Sequence, residues 1–554
     1  DANIHAGVLK IEAARKVYGQ HSRLALYIGL GLGGYIYSLD NQMTSFIMAI
    51  YLAFAVSDLG DHSLISSIQT AQGIILACGK PIIAKFANIS SRGTAYLVVR
   101  DLPLSLTFTY TGYTIVASAQ SINAVAGGIL IFAVSFYKCL QLLMQIIIAD
   151  ITTLEWRGLI NGLSSLPFIV NSFIGPNIAT AVLEAVGWRW GYGMFVILVP
   201  LCLSPLILTL LWAERKAKLL GLAPIKSHSS ESFLERAKIM AEELDLLGLV
   251  LITVCIGLIL LPLTLTGTVK GGWSNHKTVM IALIVLGCVL LPVCGIWDLQ
   301  YVRYPAIPPQ FFRNPSIIIV SLIGAFDFMT IYLYSFIIVI KPWPLLYATY
   351  FSPIQAMMLT IFAILAGVIM KYTHRYKALL IIGLCICLFG VTLMIRSRGA
   401  NGSDTEIVWT QILQGLGGGF AAACSQIGAQ ASVLHVDLAM ATAVILLVTE
   451  YPFNMEIGAS IGGSVSELMP KKLAEYLPDC SDKECATLFS SIMDVTKYKR
   501  GTQVQEGVIL AYSDVMRDFL VIVTILSTFP IILSLFLPNW YLGDKQNAVN
   551  NEDL

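Results

Sequence analysis

Thr278-Val-Met-Ile-Ala-Leu-Ile-Val-Leu-Gly-Cys-Val-Leu-Leu-Pro-Val-Cys-Gly-Ile-Trp297 runs for twenty residues without a charge. A bilayer core is crossed by roughly 20 apolar residues in helical form. Backbone amides find no water there, so a closed helix is the structure that satisfies them. Comparable stretches recur along the chain, at 24–46, 64–84, 95–117, 124–147, 159–183, 191–212, 246–265, 278–297, 316–340, 353–371, 378–396, 407–429, 440–466 and 518–538. These fourteen spans define an all-α polytopic membrane protein. The composition agrees: 56% hydrophobic and 12% charged residues, with a mean hydropathy of +0.75, against about 25% charged in soluble domains. A net charge of +1 leaves no basic surface for nucleic acid. The polar opening, to about Ser22, does not read as a signal peptide, because its apolar segment comes too late.

An even number of spans puts both termini on one side. Lys and Arg crowd the segments on that side, among them Lys85, Arg92, Arg157, Lys216, Arg313, Lys371 and Arg375, whereas the opposite short loops hold few. The positive-inside bias therefore predicts a cytosolic N-terminal segment (1–23) and tail (539–554). The expected organisation is a first six-helix bundle (24–212), a polar cytosolic connector (213–245), two inserted helices (246–297), the first five helices of a second bundle (298–466), a large outer loop (467–517) and a last helix (518–538). In that outer loop Cys480 and Cys485 face an oxidising compartment; a disulfide and two free thiols are both open readings. Asn401-Gly-Ser is expected to carry a glycan, while Asn88-Ile-Ser falls on the cytosolic side.

The halves echo each other. Gly79-Lys-Pro-Ile-Ile-Ala-Lys-Phe-Ala-Asn-Ile-Ser-Ser-Arg92 follows span two, and Gly367-Val-Ile-Met-Lys-Tyr-Thr-His-Arg-Tyr-Lys377 follows span ten; Asp40-Asn-Gln-Met-Thr is matched by Asp327-Phe-Met-Thr. Internal repeats of this kind are common in secondary transporters. The 79–92 turn, Gly187-Trp-Arg-Trp190 and Gly175-Pro176 resemble elements of the major facilitator superfamily in its fourteen-helix form. Tyr37-Ser-Leu-Asp40, His62-Ser-Leu-Ile-Ser-Ser-Ile-Gln-Thr-Ala-Gln72, Lys80-Pro-Ile-Ile-Ala-Lys85, Ile148-Ala-Asp-Ile-Thr-Thr-Leu-Glu-Trp-Arg-Gly158, Leu166-Pro-Phe-Ile-Val-Asn171, Ile174-Gly-Pro-Asn177 and Leu542-Gly-Asp-Lys-Gln-Asn547 resemble its fungal siderophore–iron transporters. The resemblance implies two six-helix bundles plus two additional helices, rocking about a central site in proton-coupled uptake of ferric siderophores at the plasma or an endosomal membrane. The chain departs from the family at Asn88, Ser91 and the Arg100-Asp101 pair of span three.

Within the spans, ionisable residues are costly and mark function or pairing. Asp40, Asp327 and Glu450 are the candidate proton carriers, with Glu456 beside the last. Asp150, Glu155 and Arg157, joined by Lys85 and Arg92, form a candidate charge latch at the cytosolic turn, against the alternative of a solvated loop. A ferric hydroxamate already wraps its iron in oxygen, so its site needs aromatic walls and hydrogen-bonding groups but no protein ligand to the metal. Tyr37, Gln69, Gln72, Tyr137, Gln141, Gln145, Asn171, Phe173, Trp190 and Tyr192 offer that mixture, although ordinary interhelical packing explains many such groups as well. No cofactor is expected beyond the chelated iron, and the protein is read as a monomer in membrane lipid. Gly29-Leu-Gly-Leu-Gly-Gly34 and Gly415-Leu-Gly-Gly-Gly419 mimic nucleotide loops but lie inside spans, where close helix packing explains them. The sequence holds no Gly-x-x-x-x-Gly-Lys-Ser/Thr loop, dispersed His residues and no nucleophile–base pair. It reads as a transporter and not an enzyme; a proton-coupled exporter of drugs or of an organic anion such as glutathione, and a non-transporting receptor, remain the alternatives.

Overall fold

The computed structural model describes residues 17, 19–59, 75, 79–81, 84–85, 104–134, 140–221, 242, 245–265, 272–302, 305, 307–327, 341, 343, 351, 353–398, 402–435, 437–449, 469–477 and 502–545. Among them every regular element is a helix. The first half contains α1 (Gln20–Leu59), α2 (Leu104–Ser118), α3 (Ile122–Val134), α4 (Leu140–Ile151), α5 (Leu154–Ser164), α6 (Leu166–Ala185) and α7 (Trp188–Leu219). A hairpin of α8 (Leu246–Leu265) and α9 (Gly272–Tyr301) follows. The second half contains α10 (Pro309–Arg313), α11 (Pro315–Asp327), α12 (Ile354–Thr373), α13 (Lys377–Ser397), α14 (Asp404–Ala431), α15 (Leu438–Thr449), α16 (Met469–Tyr476), α17 (Gln503–Leu526) and α18 (Thr528–Leu535). Among the described residues six helical stretches are long and apolar enough to cross a membrane, including Leu154–Gly175, Thr278–Asp298 and Lys377–Ser397.

Helix faces sort by partner. On α7, Val199, Leu203, Leu206 and Leu210 recur at helical spacing and are buried, while Ile197, Leu201 and Leu208 stay exposed. In lipid an exposed leucine costs nothing, so association rests on close packing and not on removing apolar area from water. The glycine runs supply that closeness. A Cβ on Gly29 would meet Leu206 Cα at 2.8 Å, so α1 and α7 touch backbone to backbone. Along α14, Gly415 and Gly419 lie against α12 and Gly417 against α13, each with a neighbouring carbonyl within 2.7 Å of where a Cβ would sit. The hairpin α8–α9 packs chiefly on itself.

Several boundaries differ from the hydropathy reading. Span five is two helices, because the chain breaks at Ser165 and Pro167, in the first turn of α6, starts the next helix. Helix α7 continues through Lys216 and Lys218 to Leu219, into the expected connector. The last helix begins at Gln503 and not at 518. Its polar first turns lower the hydropathy, yet Gln505, Val508, Ile509, Val515 and Met516 form a buried stripe, and Thr502 caps the start by accepting from Gln505 N. That stripe packs on α13 and α16. Part of the segment expected to be an outer loop is therefore helical.

Candidate functional site

The two halves meet around a cavity of about 230 Å³. The first half contributes Tyr37 from α1, Gln141 and Gln145 from α4, Asn161 from α5 and Phe168 from α6. The second contributes Gly324 from α11, Leu359 from α12, Gln426 and Gln430 from α14, and Thr442 and Thr449 from α15. Tyr37 donates to Gln141 Oε1 at 3.2 Å, and Gln430 Nε2 donates to Thr442 Oγ1 at 3.2 Å. Four amides keep buried polar atoms without a hydrogen-bond partner: Gln145 Oε1, both side-chain atoms of Asn161, Gln426 Nε2 and Gln430 Oε1. A buried polar group left unpaired costs about 1–3 kcal/mol. Such groups, gathered on one cavity from both halves, are the expected signature of a site that exchanges hydrogen bonds with a guest or with water. No lining residue among those described is charged.

Beside the cavity lies Asp40, fully buried on α1, whose carboxylate accepts from Tyr113 Oη at 2.7 Å. The Tyr113 ring is packed 4.3 Å from Phe132 and 5.8 Å from Phe195, so α2, α3 and α7 together hold the hydroxyl on the acid. Asp40 sits one helical turn from Tyr37, inside the first bundle and not on the cavity wall.

One end of the cavity is closed by contacts between the halves. Gly158, Gly162 and Gly367 let α5 and α12 meet: a Cβ on Gly367 would lie 2.6 Å from Leu159 Cα, and one on Gly162 would lie 2.9 Å from Ile364 Cα. Asp150 Oδ1 at the end of α4 lies 3.6 Å from His435 Nε2, in the turn before α15. Arg157 is fully buried; it donates to Ala149 O at 3.1 Å and is attracted by Asp150. The Lys371 ammonium of α12 sits 3.5 Å from the ring centroid of Trp156 on α5. Lys85 is buried nearby and donates to Pro305 O at 3.1 Å. Burial pushes its ammonium down to about 8, opposed by attraction to Asp245 and Asp298 at the ends of the inserted hairpin. Lys85 thus ties the first half to that hairpin, while Asp150, with Arg157 beside it, faces His435 of the second half.

Other residues singled out in the sequence fall elsewhere. Asn171 is buried and donates to Tyr35 O at 3.0 Å, joining α6 to α1. Phe173 and Trp190 are exposed, and Tyr192 is buried in the first bundle; none of these four lines the cavity. Glu155 contributes its backbone N–H to Gly543 O at 3.4 Å. Asp327 ends α11. Gln69, Gln72, Arg92, Tyr137, Asn401, Glu450, Glu456, Cys480 and Cys485 lie outside the described residues. The sequence reading missed Asn161, Gln426, Gln430, Trp156, Lys371 and His435. Only Gln426 and Gln430 carried a signal, since their i, i+4 spacing on an apolar helix repeats that of Gln141 and Gln145.

The Major Facilitator Superfamily model matches residues 30–449. The chain is 32% identical to the siderophore iron transporter mirC of Emericella nidulans, over 100% of this chain and 90% of that one. It is 33% identical to the low affinity heme transporter str3 of Schizosaccharomyces pombe, over 99% and 88% of the two chains. Among solved structures, the proton:xylose symporter XylE superposes with a TM-score of 0.51 over 96% of this chain and 98% of that one, at 13% identity, a likeness of fold. The chain is a multi-pass membrane transporter of the major facilitator superfamily and belongs to its fungal siderophore iron transporter family.

Proposed function

We propose that the protein imports ferric siderophores of the neutral hydroxamate type, driven by protons, with access to the central cavity alternating between the two sides of the membrane. One observation carries the reading: the cavity between the halves is lined by hydroxyls and by amides of which four, Gln145, Asn161, Gln426 and Gln430, keep unpaired buried atoms, and by no charged residue among those described. A neutral chelate with a periphery of amides and carbonyls fits such walls, because every polar contact is a hydrogen bond and no charge is stranded. The same feature bears on the rival suggested by the heme transporter relative. Two propionates entering a cavity with no cation among its described lining residues would each lose their hydration uncompensated.

At about 230 Å³ the cavity is smaller than the 300–1,000 Å³ typical of sites for drug-sized ligands. The arrangement is thus taken as a constricted state, closed where α5 meets α12. Loading requires the halves to rock apart at the opposite end, and release requires the Gly158–Gly367 contact, the Asp150–His435 pair and the Lys371–Trp156 contact to part. By the distribution of basic residues this closed end faces the cytosol. Asp40 is the proposed proton carrier. It is fully buried, and the Tyr113 hydroxyl from which it accepts rides on another helix, so movement of α1 against α2 makes or breaks that bond. Asp327 and Glu450 are proposed as secondary carriers.

Growth of an iron-starved yeast lacking its own transporters tests the substrate. Growth on ferric hydroxamates, with none on anionic catecholate chelates or heme, is the expected outcome. Growth on heme alone, or export of a preloaded chelate with no uptake, would replace this reading.

A further inference from the structure

The segment after α18 lies across both halves at the closed end. Leu537 and Leu542 are buried in the main core cluster. On the second half, Leu542 N donates to His374 O at 3.0 Å, and His374 Nδ1 lies 2.8 Å from Leu542 O. That carbonyl only accepts, so Nδ1 carries the proton. Tyr376 Oη donates to Pro538 O, and the Tyr541 ring stacks on His374 at 5.3 Å. On the first half, Lys545 O accepts from Leu154 N at 3.0 Å and Gly543 O from Glu155 N at 3.4 Å. Those two N–H groups open α5. The first N–H groups of a helix have no partner within it, and Thr153, at the capping position, makes no side-chain capping bond. The tail supplies the cap.

We propose that residues 537–545 form a strap that fastens the second half to the start of α5, and that must unclip whenever this end of the cavity opens. Among the described residues the strap is held on the second half by a ring stack and by hydrogen bonds with His374, Arg375 and Tyr376, but on the first half by two backbone bonds. It therefore releases from α5 and stays with the α12–α13 turn. Its grip is added to the direct contacts of the gate, so the tail sets how readily the gate opens without touching the substrate cavity. Any factor that captures residues 543–545 would bias the transporter toward opening at this end.

The test reads the gate and not transport, so it stands apart from the substrate assignment. Spin labels at Thr153→Cys and Thr373→Cys, in full-length protein without other cysteines in nanodiscs, report the separation of α5 and α12. Removal of residues 539–554 should raise the population of the longer distance about tenfold, the change expected when two hydrogen bonds specific to one state are lost. Full-length Leu542→Asp should do the same by expelling the strap. A synthetic peptide of residues 537–546 added to the truncated protein should restore the short distance, which a misfolded chain would not allow. Hydrogen exchange at Leu154 and Glu155 should quicken in both variants. Unchanged distances in both variants, or longer distances that the peptide does not reverse, would overturn the proposal.

Discussion

Gly367→Ala isolates the closure of the gate. The added Cβ would lie 2.6 Å from both Leu159 Cα and Leu159 N, and 2.7 Å from Gly158 C. These are backbone atoms and cannot rotate away. Ordinary carbon contacts begin near about 3.5 Å, so α5 and α12 must separate by about 1 Å. Overpacking of this kind costs about 1–3 kcal/mol. The cost falls only on the state in which the two helices touch; once this end opens, the methyl group faces space. The equilibrium should shift about 5- to 150-fold toward opening at this end. The assay is the distance between labels at Thr153 and Thr373 in nanodiscs, read beside the affinity for a ferric hydroxamate offered from the opposite side, which should weaken by a similar factor. Gly31→Ala is the control, because nothing lies within 4 Å of its Cβ position. If Gly367→Ala leaves the distances and the affinity as Gly31→Ala does, the α5–α12 contact is not the gate.

Three further outcomes follow from the same geometry. Asp40→Asn keeps the size of the side chain and its acceptance from Tyr113 but cannot carry a proton; exchange of labelled chelate across the membrane should survive while accumulation driven by a pH gradient is lost, and accumulation that persists would remove Asp40 from the coupling path. Gln426→Leu or Gln430→Leu should each weaken chelate binding about 2- to 12-fold, one hydrogen bond of about 0.5–1.5 kcal/mol, measured by titration of purified protein; unchanged affinity in both would place the guest elsewhere. Lys85 is held below its ordinary 10.5, at about 8, so native protein gives up this proton before unfolded chain does and stability rises between those two values; Lys85→Met should raise the melting temperature near neutral pH and flatten that rise, whereas a lower melting temperature would mean that Asp245, Asp298 and Pro305 O outweigh the burial.

Much of this architecture is legible in the residues. Uncharged runs such as 278–297 and 378–395 declare α9 and α13 without help from context, and the glycines of α1 and α14 announce close packing. The helix start at Gln503 was hidden because its buried stripe is diluted by polar neighbours, and the break at Ser165 because apolarity does not register a turn. Site legibility divides in the same way. Gln141 and Gln145 share a helix face by their spacing, and both line the cavity. Asn171 and Tyr192 are of equally suitable types, but which neighbour a helix face meets is decided by packing between distant segments, and theirs turn to the bundle interior. His435, Trp156 and Lys371 acquire meaning only when α5, α12 and the turn before α15 meet, which no local pattern encodes.

The most direct test of the account is accumulation of a neutral ferric trihydroxamate, labelled on iron, by the purified protein in proteoliposomes under an imposed pH gradient. The account predicts uptake above the equilibrium level when the outside is acidic, abolished by a protonophore, and no accumulation of an anionic catecholate chelate under the same gradient. Equal handling of both chelates, or neutral-chelate movement indifferent to the gradient, would contradict it.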